Sequence, residues 1–167
     1  MEKHLIIAGI SRGGKTSICK EIVKKLDYQY IGMDRIVRAF QNHFPKTGIV
    51  HNNRFFNVSP HLAPFLNSML EDNIEDKVLI DTYHLVPEDY AKYINQEICN
   101  VCFIGFPDIS VEQKFQEMRK YEQRQEDIEK TDDELKQKCK RLIEESQFLK
   151  AECEKWNVPF LKKEKKS

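Results

Sequence analysis

Gly9-Ile10-Ser11-Arg12-Gly13-Gly14-Lys15-Thr16 decides the fold of this 167-residue chain. It fits G-x-x-x-x-G-K-[ST], the pattern of a loop that cradles phosphate. Before it, His4-Leu5-Ile6-Ile7-Ala8 is a short apolar run of the kind that forms a buried strand. After it, Ile18, Ile22, Val23 and Leu26 recur at helical spacing, with Lys20, Glu21, Lys24 and Lys25 on the opposite side. Strand, glycine loop and helix start are the context that the motif requires. Glycine at 9, 13 and 14 permits a tight turn and close approach of backbone to an anion. The amides of 13–16 then converge at a helix N-terminus, where the dipole favours negative charge. Lys15 would reach the β- and γ-phosphates of a nucleotide, and the Thr16 hydroxyl would hold Mg²⁺. The expected nucleotide contacts are Gly9, Ser11, Arg12, Gly13, Gly14, Lys15, Thr16 and Ser17.

The 27 basic and 27 acidic residues cancel, so no global field draws the chain to nucleic acid or to a membrane surface. No run of about 18 apolar residues is present, and no secretory apolar core follows Met1. A cytoplasmic protein, monomeric or homodimeric, is expected. Cys99 and Cys102 form a C-x-x-C inside the apolar run Ile98 to Phe106. On a strand they would face opposite sides, which suits core thiols and not a metal site. His4, His43, His51, His61 and His84 show no ligand spacing.

Apolar runs alternate with helical patterns along the whole length, which predicts an α/β fold in three layers: a mostly parallel five-stranded sheet with helices on both faces. The expected strands are 4–9, Tyr28 to Met33, Lys77 to Asp81, Ile98 to Phe106 and a short edge strand at Val158 to Leu161, demoted by Pro159. Ser59-Pro60 reads as the opening of a helix through about Asn73, and Pro87 opens a shorter one toward Ile94. Ser110 with Gln113, and Thr131 with Glu134, fit capping boxes. From the second box, Leu135, Cys139, Leu142, Ile143, Leu149, Cys153 and Trp156 line one face of a long helix. Residues 45–58 form the longest irregular stretch, and the tail Lys162 to Ser167 reads as a frayed end. One domain over 1–167 is expected, with a substrate-binding insertion at about 35–75 and a lid at about 108–130.

The chain has no N-K-x-D for guanine, no D-x-x-G switch after the third strand and no L-S-G-G-Q. With those absent, the order of elements around the phosphate loop resembles the small P-loop kinases, the group of adenylate kinase, shikimate kinase and gluconate kinase. The resemblance implies a P-loop NTPase fold and an ATP- and Mg²⁺-dependent phosphotransferase acting on a small-molecule acceptor. Asp34, at the end of the second strand, stands where such enzymes place the acid that holds or deprotonates the acceptor hydroxyl; it also suits an N-cap for a helix beginning at Arg35. Asp81 stands where a Walker B acid would orient the Mg²⁺ held by Thr16. Arg35, Arg38 and Arg54 can fork onto a substrate carboxylate or phosphate, or lie solvated. His84 is a substrate contact or a loop histidine. In this class a lid after the fourth strand brings an arginine to the transferring phosphoryl group, with Arg119 the first choice here and Arg124 the second. The chain departs from shikimate kinases in having no G-G-x run after the third strand, which argues against shikimate itself. Two rival readings stand beside the hydroxyl kinase: a nucleoside monophosphate kinase, and a nucleotide-binding regulatory module without catalysis.

Overall fold

The computed structural model describes residues 3–72, 76–121 and 124–163. Five strands form one sheet in the order β2-β3-β1-β4-β5: β1 His4–Gly9, β2 Gln29–Gly32, β3 Val78–Thr82, β4 Cys99–Gly105 and β5 Phe160–Lys162. Every pairing is parallel, with Ile7 opposite both Asp81 and Cys102. The expectation of a mostly parallel sheet thus sharpens to an all-parallel one. The five strands lie where the apolar runs placed them: β1 coincides with its expected range, and the other four are shorter than theirs or shifted by one or two residues. Seven helices accompany them among the described residues: α1 Lys15–Leu26, α2 Met33–His43, α3 Phe55–Asp72, α4 Pro87–Tyr93, α5 Val111–Tyr121, α6 Gln125–Ile128 and α7 Asp132–Trp156.

Strand alternation sorts the core. Ile6, Ala8, Val78, Ile80, Val101 and Phe103 face one side and pack with Val58, Leu62 and Leu66 of α3 and Leu142, Leu149 and Cys153 of α7. Ile7, Leu79 and Ile104 face the other side and meet Cys19, Ile18, Ile22 and Val23 of α1. Cys99 falls in the first cluster and Cys102 against the second, as strand geometry requires of residues three apart. All five cysteines are free thiols.

Helix ends follow side-chain chemistry. Thr131 and Glu134 close a reciprocal capping box on α7 (3.2 and 2.8 Å), and Ser110 and Gln113 do the same before α5 (3.1 and 3.2 Å). The Ser59-Pro60 expectation is corrected: α3 begins one turn earlier, at Phe55, and carries Pro60 and Pro64 within it. Both prolines are exposed, so water can take the carbonyls that their missing N–H groups leave free. The buried Ser59 hydroxyl instead accepts from the Val86 amide at 2.9 Å. The irregular stretch at 45–58 shrinks accordingly, because a 3₁₀ turn occupies Pro45–Thr47 and α3 takes up residue 55 onward. The expected helix end at Asn73 and tail residues 164–167 lie outside the described residues. Among the described residues, no helix is long and apolar enough to cross a membrane.

Candidate active site

β1 ends at Gly9 with φ 136°, a backbone that L side chains rarely adopt, and a Cβ there would strike the carbonyl of Ile104. The chain can therefore turn out of the sheet directly against β4, and the Ile10 amide donates to that same carbonyl (3.1 Å). Gly13 N donates to Ile10 O at 3.1 Å, Arg12 takes φ 65°, and Gly14 caps α1 at φ 80°. The result is a loop that places residues 11–17 on the wall of a cleft of about 1260 Å³. Gly9 itself lies beneath the loop and does not line the cleft. Lys15 folds back over the loop, donating to the Ile10 carbonyl at 3.2 Å. Burial lowers its pKa, and the nearby carboxylates of Asp81 and Asp34 oppose that.

Asp81 sits at the C-terminal edge of β3, beside Gly32 of β2 and Ile7 of β1. Its Oδ2 accepts from Thr16 Oγ1 at 3.2 Å and from the Tyr30 hydroxyl at 2.8 Å. Among the described residues, no group of three or more His, Cys, Asp or Glu side chains is placed to hold a metal ion by itself. A hydroxyl and one carboxylate suit Mg²⁺, which keeps waters and substrate phosphate oxygens and takes only one or two protein ligands.

Asp34 also lines the cleft, but from the first turn of α2, which starts at Met33 with Gly32 as its cap residue. The N-cap alternative for Asp34 is thereby corrected. At that place the carboxylate complements the helix dipole and stays within electrostatic reach of Lys15 and His84. Arg35, Arg38, Arg54 and His84 all reach the same cleft. His84 is 2 % exposed; its Nε2 donates to the His51 carbonyl (3.2 Å), and burial chiefly pulls its pKa down to about 4, leaving a neutral ring. Its Nδ1 is buried and meets no hydrogen-bond partner among the described residues.

The lid region separates the two arginines named for it. Arg119 does not line the cleft: its guanidinium donates to Asp127 O (3.3 Å), Lys130 O (2.7 Å) and Asp132 Oδ1 (2.9 Å), tying the α5–α7 connection together. Arg124, just before α6, does line it. α5 is no free flap either, since Phe115 and Met118 pack on Leu135 and Cys139 of α7. Two polar links bind this region to the phosphate loop. Buried Lys114 donates to Arg12 O at 3.0 Å, and Arg12 donates through Nε and Nη2 to Asp127, with Glu126 beside it. Asp127 is 1 % exposed and also holds Lys138 and Lys130. Burial pushes its pKa up, but the hydrogen bonds from Lys138 and Arg12 outweigh this and hold it at about 2.

Several site residues escaped the sequence reading. Glu145 of α7, 3 % exposed, gathers three residues that line the cleft: Tyr83 (3.0 Å), Arg141 (3.2 Å) and Arg54 (3.6 Å). A charged residue three after Leu142 and four before Leu149 sits on the apolar stripe, and that anomaly was a legible signal. Lys114, three after Val111 and four before Met118, is the same kind of signal. Lys163, from the stretch read as a frayed tail, hydrogen-bonds Gly105 O through its amide (2.7 Å), and its ammonium lies against Gly14 where a Cβ would otherwise sit. In all, ten Lys or Arg and four Asp or Glu side chains line the cleft.

No protein-family model matches the chain. No curated protein matches it in sequence either. Solved structures do match in fold. A shikimate kinase from Acinetobacter baumannii in complex with shikimate aligns over 99 % of this chain and 85 % of its own, with TM-score 0.59 at 12 % identity. A shikimate kinase from Bacteroides thetaiotaomicron aligns over 90 % and 82 %, with TM-score 0.54 at 19 % identity. A deoxyadenosine kinase from M. mycoides with bound dATP aligns over 98 % and 91 %, with TM-score 0.50 at 14 % identity. The fold of the chain is the one that these small-molecule P-loop kinases share.

Proposed function

We propose that the protein is an ATP- and Mg²⁺-dependent phosphotransferase whose acceptor is a small anionic metabolite. The observation that carries this is the meeting, on one cleft, of a phosphate loop with Lys15, a Thr16–Asp81 pair, a separate carboxylate at Asp34 and an arginine wall. Lys15 and the amides of 13–16 would bind the donor phosphates. Thr16 and Asp81 would hold Mg²⁺, which neutralises charge developing between the β- and γ-phosphates. Arg124 stands on the lid side of the cleft and is the candidate to stabilise the equatorial oxygens, in place of Arg119.

On the acceptor side, Glu145 holds Arg54 and Arg141 so that both present guanidinium groups to the cleft. Held arginines bind a carboxylate or phosphate with less entropy lost than solvated ones. Asp34 would accept the proton of the acceptor hydroxyl as it attacks. The segment of α5 and α6, with α5 packed on α7, would serve as the lid that limits the approach of water, the competing nucleophile.

The test is acceptor-dependent ADP release from ATP across a metabolite mixture, with mass spectrometry of the product. Lys15→Met should abolish transfer while the circular dichroism spectrum persists; undiminished transfer would sink the assignment. Asp34→Asn should lower kcat at least a hundredfold for a hydroxyl acceptor. Only a mild loss would mark the acceptor as a nucleoside monophosphate, which needs no general base. Tight ATP binding with no acceptor-dependent turnover would mark a regulatory module.

A further inference from the structure

β2 is the edge strand beside β3, and the register sets Tyr30 opposite Leu79 and Gly32 opposite Asp81. Residues two apart on a strand share a face, so the ring of Tyr30 can run along the strand past residue 32. It does so in close contact: a Cβ on Gly32 would lie 3.0 Å from the Tyr30 hydroxyl and 3.3 Å from Cε1. Only the missing side chain at 32 leaves this path open. The hydroxyl ends 2.8 Å from Asp81 Oδ2, the oxygen that also accepts from Thr16. A carboxylate oxygen only accepts, so the phenol O–H is the donor in this contact.

We propose that Tyr30 is a positioning residue for the metal-holding carboxylate of Asp81. This rests on the donor-site reading given under the proposed function. A carboxylate held by two hydroxyls on one oxygen has its orientation set before a cation arrives. The two hydroxyls are not equivalent. Thr16 is itself an expected ligand, and its lone pairs turn to the metal on binding. Tyr30 is not an expected ligand; its hydroxyl reaches Asp81 and also interacts with the Thr16 hydroxyl, so it orients the Thr16–Asp81 pair from outside the ligand set.

The test uses Mn²⁺ as a spin probe, titrated into the full chain with a non-hydrolysable ATP analogue and read by electron paramagnetic resonance. Tyr30→Phe keeps the ring over Gly32 and removes only the hydroxyl. It should weaken Mn²⁺ about tenfold, the usual cost of losing a contact to a metal-ligating group. Metal-free affinity for the analogue should stay within about twofold, because the phosphate loop is untouched. Unchanged Mn²⁺ affinity overturns the proposal, as does an equal loss of metal-free analogue binding, which would mark a structural role. Wild-type protein that binds the metal–analogue pair but transfers no phosphoryl group removes the kinase reading and leaves this one standing. Wild-type protein that binds no metal with the analogue overturns both.

Discussion

Asp127→Asn is the most direct test of how the phosphate loop is held. The wild-type carboxylate is 1 % exposed; its Oδ2 accepts from Arg12 Nε at 2.9 Å, and its Oδ1 accepts from Lys138 and lies 3.3 Å from Lys130. Its pKa of about 2, against 3.8 ordinarily, is worth about 2.5 kcal/mol. Solvent reaching exposed Glu126 beside it screens part of that, leaving about 1–2 kcal/mol. The amide keeps the shape but leaves Arg12 and Lys138 facing a neutral group, so a loss of about 1–2 kcal/mol is expected at pH 7. The sign follows from linkage. A depressed carboxylate pKa contributes fully above the unfolded value and loses its contribution as pH falls toward the folded one. The difference between wild type and Asp127→Asn should therefore be constant above about pH 5, shrink by about half near pH 3 and nearly vanish at pH 2. Urea unfolding followed by circular dichroism across that range measures it. A deficit that stays constant down to pH 2, or none at pH 7, would refute the ion-pair account. The same variant should raise the KM for ATP, because Arg12 carries the left-handed turn of the loop.

Three further outcomes follow from the geometry. Gly9→Ala would drive a Cβ into the backbone of a central strand at φ 136°, costing on the order of 3 kcal/mol, and urea unfolding within 1 kcal/mol of wild type would refute the close approach. His84, buried and held near pKa 4, takes up its proton in the unfolded state first. Stability should rise with pH between about 4 and 6.5, by up to about 3 kcal/mol, and level off above; His84→Asn should flatten that slope in thermal melts. Glu145→Gln should raise the KM for the acceptor about tenfold, through slackened Arg54 and Arg141, with the KM for ATP nearly unchanged; equal effects on both would show a general distortion.

The phosphate-loop side of the cleft was legible because its parts are adjacent in sequence. Residues 11–17 are one turn and one helix start, and their geometry is local. Asp81 was legible because a carboxylate closing an apolar run marks a strand end. Asp34 was legible as a position but not as a conformation, since capping and first-turn aspartates look alike from sequence. Sequence ranks Arg119 ahead of Arg124, yet only Arg124 lines the cleft, because the turn around the short α6 commits Arg119 to backbone carbonyls. Tyr30 required knowing that β2 pairs with β3, in register, and that glycine stands at 32. The Glu145 cluster required α7 to return over the loop carrying Arg54, more than 80 residues away.

Charge shows the same division between what is summed and what is placed. The whole chain is neutral, yet its cleft holds ten cationic and four acidic side chains. The excess of six must be matched by an equal excess of acids elsewhere, and those acids are largely screened beyond about 10 Å at ordinary ionic strength. Field lines inside a concave low-dielectric site are focused and not screened to that extent. A long polyanion needs a basic exterior and finds none in the balance, whereas a small anion that enters the cleft meets the full local field. A triphosphate with its Mg²⁺ brings in only about two negative charges. Asp127, paired with Arg12 and Lys138, and Glu145, paired with Arg54 and Arg141, offset two more, so a cationic surplus of about two remains, with Arg35 and Arg38 among its bearers. A carboxylate or phosphate on the acceptor would supply an anion for Arg35 and Arg38, whereas Arg54 and Arg141 already pair with Glu145 and would share it.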